Sequence, residues 1–419
     1  MNENKNTFYG WWIVIASAII LAIAGPASVA VANVYQAPVI VEFGISASQF
    51  AIVNSIVLGT GIFVAPTMSQ QYARGNFRRI YLLAIILYGV SYGLYSIAPN
   101  IIVFYLLSFL VGAGYSATTL LPVGILVNNW FVEKRGLAMS LAVGGLGIGG
   151  VIFSQLVTWS IGQFGWRMTY LLYAIILLVV CIPMVLFVIK AKPEDIGLKA
   201  LGADKSKSEE TDGEKEQHMA VSTPIEKTFK KPFFIMLIVG AVFLGIINNG
   251  GLGQFPPYLQ GLHGAAAGAT LISIYSAVGI VGKLLLGTIN DKFGIIISTV
   301  YAAVLTTIAY ILMIFAPNYT IAIIGSVFFG LGNAIGTVSP PLITSAIYSE
   351  ENYAKGYGYV TSAVNFGLML GSLVAATIAD ATGSYTNSWI IIAVISLITG
   401  ALWVGAFLNS RKFVEYKEK

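Results

Sequence analysis

An all-α membrane protein is the fold class this sequence predicts, with twelve transmembrane helices in two six-helix pseudo-symmetric bundles. Three observations carry that expectation. Of the 419 residues, 57% are hydrophobic and 10% charged, and the mean hydropathy is +0.82, far from the balance of a soluble domain. Apolar stretches recur between very short loops, each near the ~20 residues that cross the ~30 Å of bilayer hydrocarbon. A single polar segment divides them six and six, and the second set repeats the first.

In chain order the spans read at 11–36, 47–70, 80–98, 101–128, 138–163 and 168–189, then at 233–257, 266–289, 295–316, 319–346, 357–379 and 387–408. The first is too long, and its flank too weakly basic (Lys5 alone), for a cleaved signal peptide, so it reads as a retained helix. Residues 190–231 hold nine basic and nine acidic residues and no apolar periodicity, the composition of a flexible linker. The expected organisation is an N-terminal bundle at 1–189, a cytoplasmic linker at 190–231 and a C-terminal bundle at 232–419.

Charge sets the orientation. With the N-terminus cytoplasmic, Lys5, Arg74, Arg78, Arg79, Lys134, Arg135, the nine lysines from Lys190 to Lys231, Lys292, Lys355 and the four basic residues from Arg411 onward all fall inside. Arg167 alone falls outside and Lys283 alone within a span, a strong positive-inside bias. Both termini are therefore expected in the cytoplasm. The same topology accounts for the pI near 9.0 without a nucleic-acid surface. Cys181 is the sole cysteine, which excludes an intramolecular disulfide or thiolate cluster.

The halves repeat at an offset of 218 residues: Gln36 with Gln254, Pro38 with Pro256, Gly61 with Gly279, Ala98-Pro99-Asn100 with Ala316-Pro317-Asn318, Gly112 and Gly114 with Gly330 and Gly332, Pro122 with Pro340. A tripeptide with flanking glycines and prolines at one offset points to duplication. Parallel repeats of six helices put a solute path between the halves, near the midplane.

On these residues the chain resembles the major facilitator superfamily over roughly residues 8–409. That superfamily's loop signature reads Gly, three residues, Asp, a basic residue, any, Gly, any, then two basic residues. Gly287, Asp291, Lys292 and Gly294 match it, with Ile296 and Ile297 in place of the basic pair. The first half keeps Arg74, Arg78 and Arg79 but has Ser69, Ala73 and Asn76 where Gly, Asp and Gly are expected. Asn76 is the residue expected to supply positive φ there. Phe8-Tyr9-Gly10-Trp11-Trp12, Trp130-Phe131 followed by Lys134-Arg135-Gly136, Gly165-Trp166-Arg167, and Pro193-Glu194-Asp195-Ile196-Gly197-Leu198 are similar to the monocarboxylate-transporter and oxalate/formate-antiporter branch.

Lys283 is the one charge well inside an apolar stretch. A lysine at a helix centre costs about 2.5–3.5 kcal/mol on insertion scales, so it should face a wet cavity and await an anion. The resemblance implies the same role, since the branch carries a substrate-binding cation at this point of the eighth helix. The competing reading stays open here: Lys283 lies roughly 12 Å from the cytoplasmic end of its helix at 1.5 Å per residue, within partial reach of a snorkelling stem. Around it, Tyr275, Ser276 and Gly279 share its face. Asn33 and Gln36 at i,i+3, Gln254, Tyr115 with its repeat mate Asn333, and Asn365 with Thr361 are candidate neutral partners for the solute, or else interhelical hydrogen bonds.

At the cytoplasmic face, pseudo-symmetry is expected to pair Arg78 and Arg79 with Glu350 and Glu351, and Lys134 or Arg135 with Asp291, as a gate. Trp11, Trp12, Trp403 and Tyr81 are expected as interfacial anchors. The glycine run Gly144-Gly145-Leu146-Gly147-Ile148-Gly149-Gly150, with Gly367 and Gly371, reads as close helix packing. Walker patterns are absent from the sequence, and His218 and His263 are assigned to loops on opposite sides, so neither ATP-driven transport, a metal site, a cofactor nor an enzyme is expected.

The expected function is secondary active transport of a small organic anion, a monocarboxylate by preference, through alternating access in a cell membrane, with a proton or an exchanged anion as coupling partner and a monomer as functional unit. One fixed cation suits one carboxylate. The branch's dicarboxylate carriers look to need a second cation on the eleventh helix, where Val364 and Asn365 stand, and its proton-coupled members an acid where Gly279 stands. A facilitator or exporter of a neutral or drug-like solute, a dicarboxylate exchanger and a transporter-derived sensor are the alternatives. Short loops and the single-chain design look bacterial.

Overall fold

Apolar segments of this length become helices because a backbone facing hydrocarbon must hydrogen-bond within itself. The computed structural model describes residues 8–28, 31–203, 221–252, 254–382 and 384–413. In order, its helices are α1 (Gly10–Ser28), α2 (Gln36–Phe43), α3 (Ala47–Arg74), α4 (Phe77–Leu94), α5 (Ile101–Thr118), α6 (Leu120–Trp130), α7 (Arg135–Pro183), α8 (Pro232–Ile246), α9 (Phe255–His263), α10 (Ala265–Ile314), α11 (Tyr319–Gly332), α12 (Ser339–Ile347), α13 (Glu350–Thr382) and α14 (Tyr385–Ser410). Among the described residues there is no strand, only two isolated bridges.

The helices cover the twelve expected stretches. Two of them hold a pair of spans each: α7 turns at Gly165 (φ 77°, ψ 165°) and α10 at Gly294 (φ 81°, ψ 177°), left-handed values that glycine alone takes without strain. Gly294 is the second glycine of the loop signature, so the motif there is the turn itself. The first half turns differently. Asn76 has φ −74°, not the positive φ expected, and caps α4 instead, its side chain accepting from Arg79 N. Capping suits a short polar side chain at lower conformational cost than a left-handed turn.

By contact the chain forms two units, Met1–Val57 with Gln71–Gln217, and Leu58–Gln70 with His218–Lys419. In the first, α7 lies directly on α1: a Cβ at Gly145 or Gly149 would meet the carbonyl oxygen of Ala18 or Ala22. In the second, Gly245 and Gly367 hold α8 against α13, a Cβ on Gly245 lying 2.5 Å from Leu368 N, and Ser362 Oγ donates to Ile62 O. The packing role expected of the run and of Gly367 and Gly371 is what the structure shows at Gly145, Gly149, Gly367 and Gly371, but not at Gly144, where a Cβ would meet nothing within 4 Å.

The repeat is visible in three dimensions. Asn100 Oδ1 accepts from Ile102 N and Val103 N to cap α5, and its mate Asn318 Oδ1 accepts from Thr320 N and Ile321 N to cap α11. A Cβ on Gly114 would sit 2.6 Å from Tyr88 Cα, and one on the mate Gly332 would sit 2.8 Å from Cα of Thr306, the mate of Tyr88. In both halves the first span is interrupted. α1 ends at Ser28 and the chain passes through a 3-10 turn (Ala32–Val34) before α2, while α8 runs into a π-turn (Ile247–Leu252) before α9. The continuous first helix expected to run to residue 36 is thereby corrected, with Pro26 in its last turn removing one helical donor.

Three further expectations change. Trp403 and Tyr81 are fully buried rather than interfacial, with Trp403 Nε1 donating to Leu237 O and Tyr81 Oη to Thr118 O. Trp12 does stay exposed, at 53%. His263 closes α9, its Nε2 2.7 Å from Ala316 O, instead of lying in a loop. The linker is ordered at both described ends, while His218 lies outside the described residues.

Candidate functional site

Lys283 sits on α10, where exposed Ala277, Val281 and Leu285 recur every fourth residue as an outward stripe. At ~100° per residue, position 283 lies about 200° from 281 and from 285, on the opposite side. Its own face packs on α11: a Cβ on Gly282 would be 2.8 Å from Leu331 Cα, and one on Gly279 3.7 Å from Gly330 O. Helical side chains lean toward the helix N-terminus, here the end away from the signature loop at Asp291. Lys283 is 8% exposed. Among the described residues it makes no hydrogen bond or ion pair, yet its Nζ is not among the fully enclosed unpartnered atoms such as Trp389 Nε1. Among the described residues this cation has no counter-charge.

The second unit also holds Tyr275, Asn333, Asn365 and Gln254. Tyr275 packs with Phe255 and Phe329, ring centroids 5.2 and 5.6 Å apart. Asn333, one turn beyond Phe329, lines a small cavity with Asn248, Thr306 and Tyr310, with room on the order of one water molecule. Asn365 is buried on α13. Gln254 is differently engaged: its Oε1 accepts from Tyr385 Oη at 3.0 Å, the interhelical bond that was the competing reading. In the first unit, Gln36 opens α2 and Tyr115 lies on α5 with its ring 6.1 Å from that of Tyr88. Asn33 falls in the 3-10 turn Ala32–Val34 whereas Gln36 opens α2, so the two are not on one continuous helix; the side chain of Asn33 lies outside the described residues.

Gate candidates lie at helix ends. Arg78 Nε donates to Val185 O at 3.1 Å and Arg135 Nε to Phe131 O at 2.8 Å, so both are engaged within their own unit. Arg79, Lys134 and Asp291 are exposed, and so are Glu350 and Glu351 in the first turn of α13. Lys134 is also the only non-glycine residue with positive φ among those described, at 61°.

Sequence reasoning missed two features. Tyr92 and Tyr310 obey the 218-residue offset, and each bonds the interrupted first helix of its half: Tyr92 Oη to Ala27 O at 3.1 Å, Tyr310 Oη to Ile247 O at 2.9 Å. These hydroxyls satisfy carbonyls that a broken helix leaves over. The second is Glu42, whose Oε1 accepts from Arg167 Nη2 at 2.8 Å and whose Oε2 accepts from Trp166 Nε1. Arg167 Nη1 also donates to Ser96 O and Ala98 O, both at 2.9 Å. Burial raises the Glu42 carboxyl, but hydrogen bonds from Arg167 and Trp166 and the guanidinium charge outweigh it, leaving it below the ordinary carboxylate range.

A family model described as Major Facilitator Superfamily matches residues 8–346 and 265–419, the length of the helical chain. The chain belongs to the major facilitator superfamily. It is a multi-pass membrane transporter with that superfamily's fold, and not an enzyme. It is 23% identical to monocarboxylate transporter 12 of Rattus norvegicus over 91% of this chain and 82% of that one. With monocarboxylate transporter 2 of Homo sapiens it shares 24% identity over 98% and 88%. In fold it is similar to the proton:xylose symporter XylE bound to 6-bromo-6-deoxy-D-glucose, with a TM-score of 0.69, 14% identity, and coverage of 98% of this chain and 97% of that one.

Proposed function

We propose that this transporter moves a small monocarboxylate, with Lys283 as the cation that receives the carboxylate. The observation that carries this reading is a lysine on the protein-facing side of its span, nearly buried and without a partner among the described residues. An ammonium so placed leaves an electrostatic need that a single carboxylate meets by a charge-assisted hydrogen bond. The names of the relatives, both monocarboxylate transporters, support the same solute class. Tyr275, Asn333 and Asn365, with Gln36, Asn33, Tyr115 and Gln254, supply neutral hydrogen-bonding groups. Alternating access by the bundles at 1–189 and 232–419, in a cell membrane with both termini cytoplasmic and a proton or exchanged anion as coupling partner, completes the proposal.

The test is uptake of radiolabelled acetate, lactate and pyruvate into proteoliposomes by wild type and Lys283→Met. Wild type should accumulate at least one of them and the variant should lose nearly all uptake. Undiminished uptake of the same acid by the variant would remove Lys283 as the group that receives the carboxylate, and no uptake of any of the three by wild type would contradict the monocarboxylate reading.

A further inference from the structure

The two ends of the polar linker are held by one repeated pattern of backbone hydrogen bonds. In the first unit, Leu201 N donates to Trp130 O at 3.0 Å and Val132 N to Leu201 O at 2.9 Å. In the second, Val221 N donates to Ile347 O at 2.9 Å and Ser349 N to Val221 O at 3.2 Å. Each is a parallel bridge, opposite Phe131 in one case and Tyr348 in the other. Both partners lie in the connection between the fourth and fifth spans of their half.

The surroundings differ but serve the same end. Gly202 has φ 92°, and a Cβ there would lie 2.8 Å from Glu133 N, so only glycine permits the approach. Trp130 Nε1 donates to Lys190 O at 2.9 Å and Asn129 Nδ2 to Ala191 O at 3.0 Å. In the other half, Asn352 Nδ2 donates to Ser222 O at 2.9 Å and Lys355 Nζ pairs with Glu226 at 2.7 Å. Val221 and Ile225 are fully buried. Backbone pairing at an edge, with an apolar side chain seated beside it, is how extended segments are recognised in general.

We infer that the connections around Phe131 and Tyr348 are paired strand-docking sites, one in each half, whose occupants are the ends of the chain's own linker at Leu201 and Val221. Docking ties the end of the sixth span to one connection and the start of the seventh to the other. Each half thus carries a share of the linker as part of its own body. The inference is independent of which solute is carried.

Hydrogen–deuterium exchange on the purified full-length protein tests it. Wild type should protect peptides covering 130–134 and 347–349 by about tenfold or more over unstructured backbone. Gly202→Val, which forces a branched side chain into positive φ and onto Glu133, should release 130–134 together with 184–191 and leave 347–349 protected. Val221→Pro, which removes the donor to Ile347 O, should do the converse, releasing 347–349 together with 225–232. Should that variant not be recovered, Val221→Ala should give the same pattern at smaller amplitude. Unprotected connections in wild type, or a released bridge with 184–191 or 225–232 as protected as before, would overturn the inference.

Discussion

At the scale of single residues, two charged groups deep in or at the edge of the membrane are treated differently by the fold. Glu42 is surrounded by donors, whereas Lys283 has no partner among the described residues. Because the Glu42 carboxyl is held below its ordinary value, its stabilising contribution is present above the unfolded-state pKa of about 4.3 and is lost as pH falls through the lower folded value. Thermal-denaturation midpoints measured from neutral to acidic pH should therefore decline less steeply at the acid end in Glu42→Gln than in wild type, with the variant less stable at neutral pH. Identical profiles would remove Glu42 from the account. Lys283 was legible in the sequence because an isolated charge in an apolar run stands out. Glu42 was not, since its partners Trp166 and Arg167 are over a hundred residues away and no local spacing joins them.

At the scale of elements, the interrupted first helices deserve a direct measurement. Tyr310 donates to Ile247 O beside the π-turn, and a Cβ on Gly251 would meet its hydroxyl, so ring and turn are fitted to each other. Tyr310→Phe keeps the ring and orphans the carbonyl, at a cost of about 1–3 kcal/mol; chemical denaturation should show that loss, and an unchanged stability would mean that water replaces the hydroxyl. Span positions were readable from apolar length alone. The breaks were not, because Pro26 on one side and Asn248-Asn249-Gly250-Gly251 on the other are compatible with either a kink or an uninterrupted helix until neighbouring tyrosines take up the freed carbonyls. The turn at Asn76 misled for a related reason: a residue able to adopt positive φ is equally able to cap, and capping won.

At the scale of the whole molecule, duplication was the most legible property, since Asn100 and Asn318, or Gly114 and Gly332, do the same work 218 residues apart. The gate is proposed at this scale, with Asp291 opposing Lys134 or Arg135 and Glu350 and Glu351 opposing Arg78 and Arg79. Exposed pairs contribute only about 0–1 kcal/mol each, enough to bias a two-state equilibrium. Asp291→Arg should shift labelling of cavity-directed cysteines, introduced in a Cys181→Ser background, toward the inward-open pattern, and unaltered labelling would reject the pairing. Transport of an anion nevertheless stands or falls with one nitrogen. Thermal-shift titration of the purified protein with lactate and with its neutral amide, in wild type and Lys283→Met, tests it most directly. The account predicts stabilisation of wild type by the acid alone and no response of the variant to either ligand; equal stabilisation by acid and amide, or a shift that survives in Lys283→Met, would contradict it.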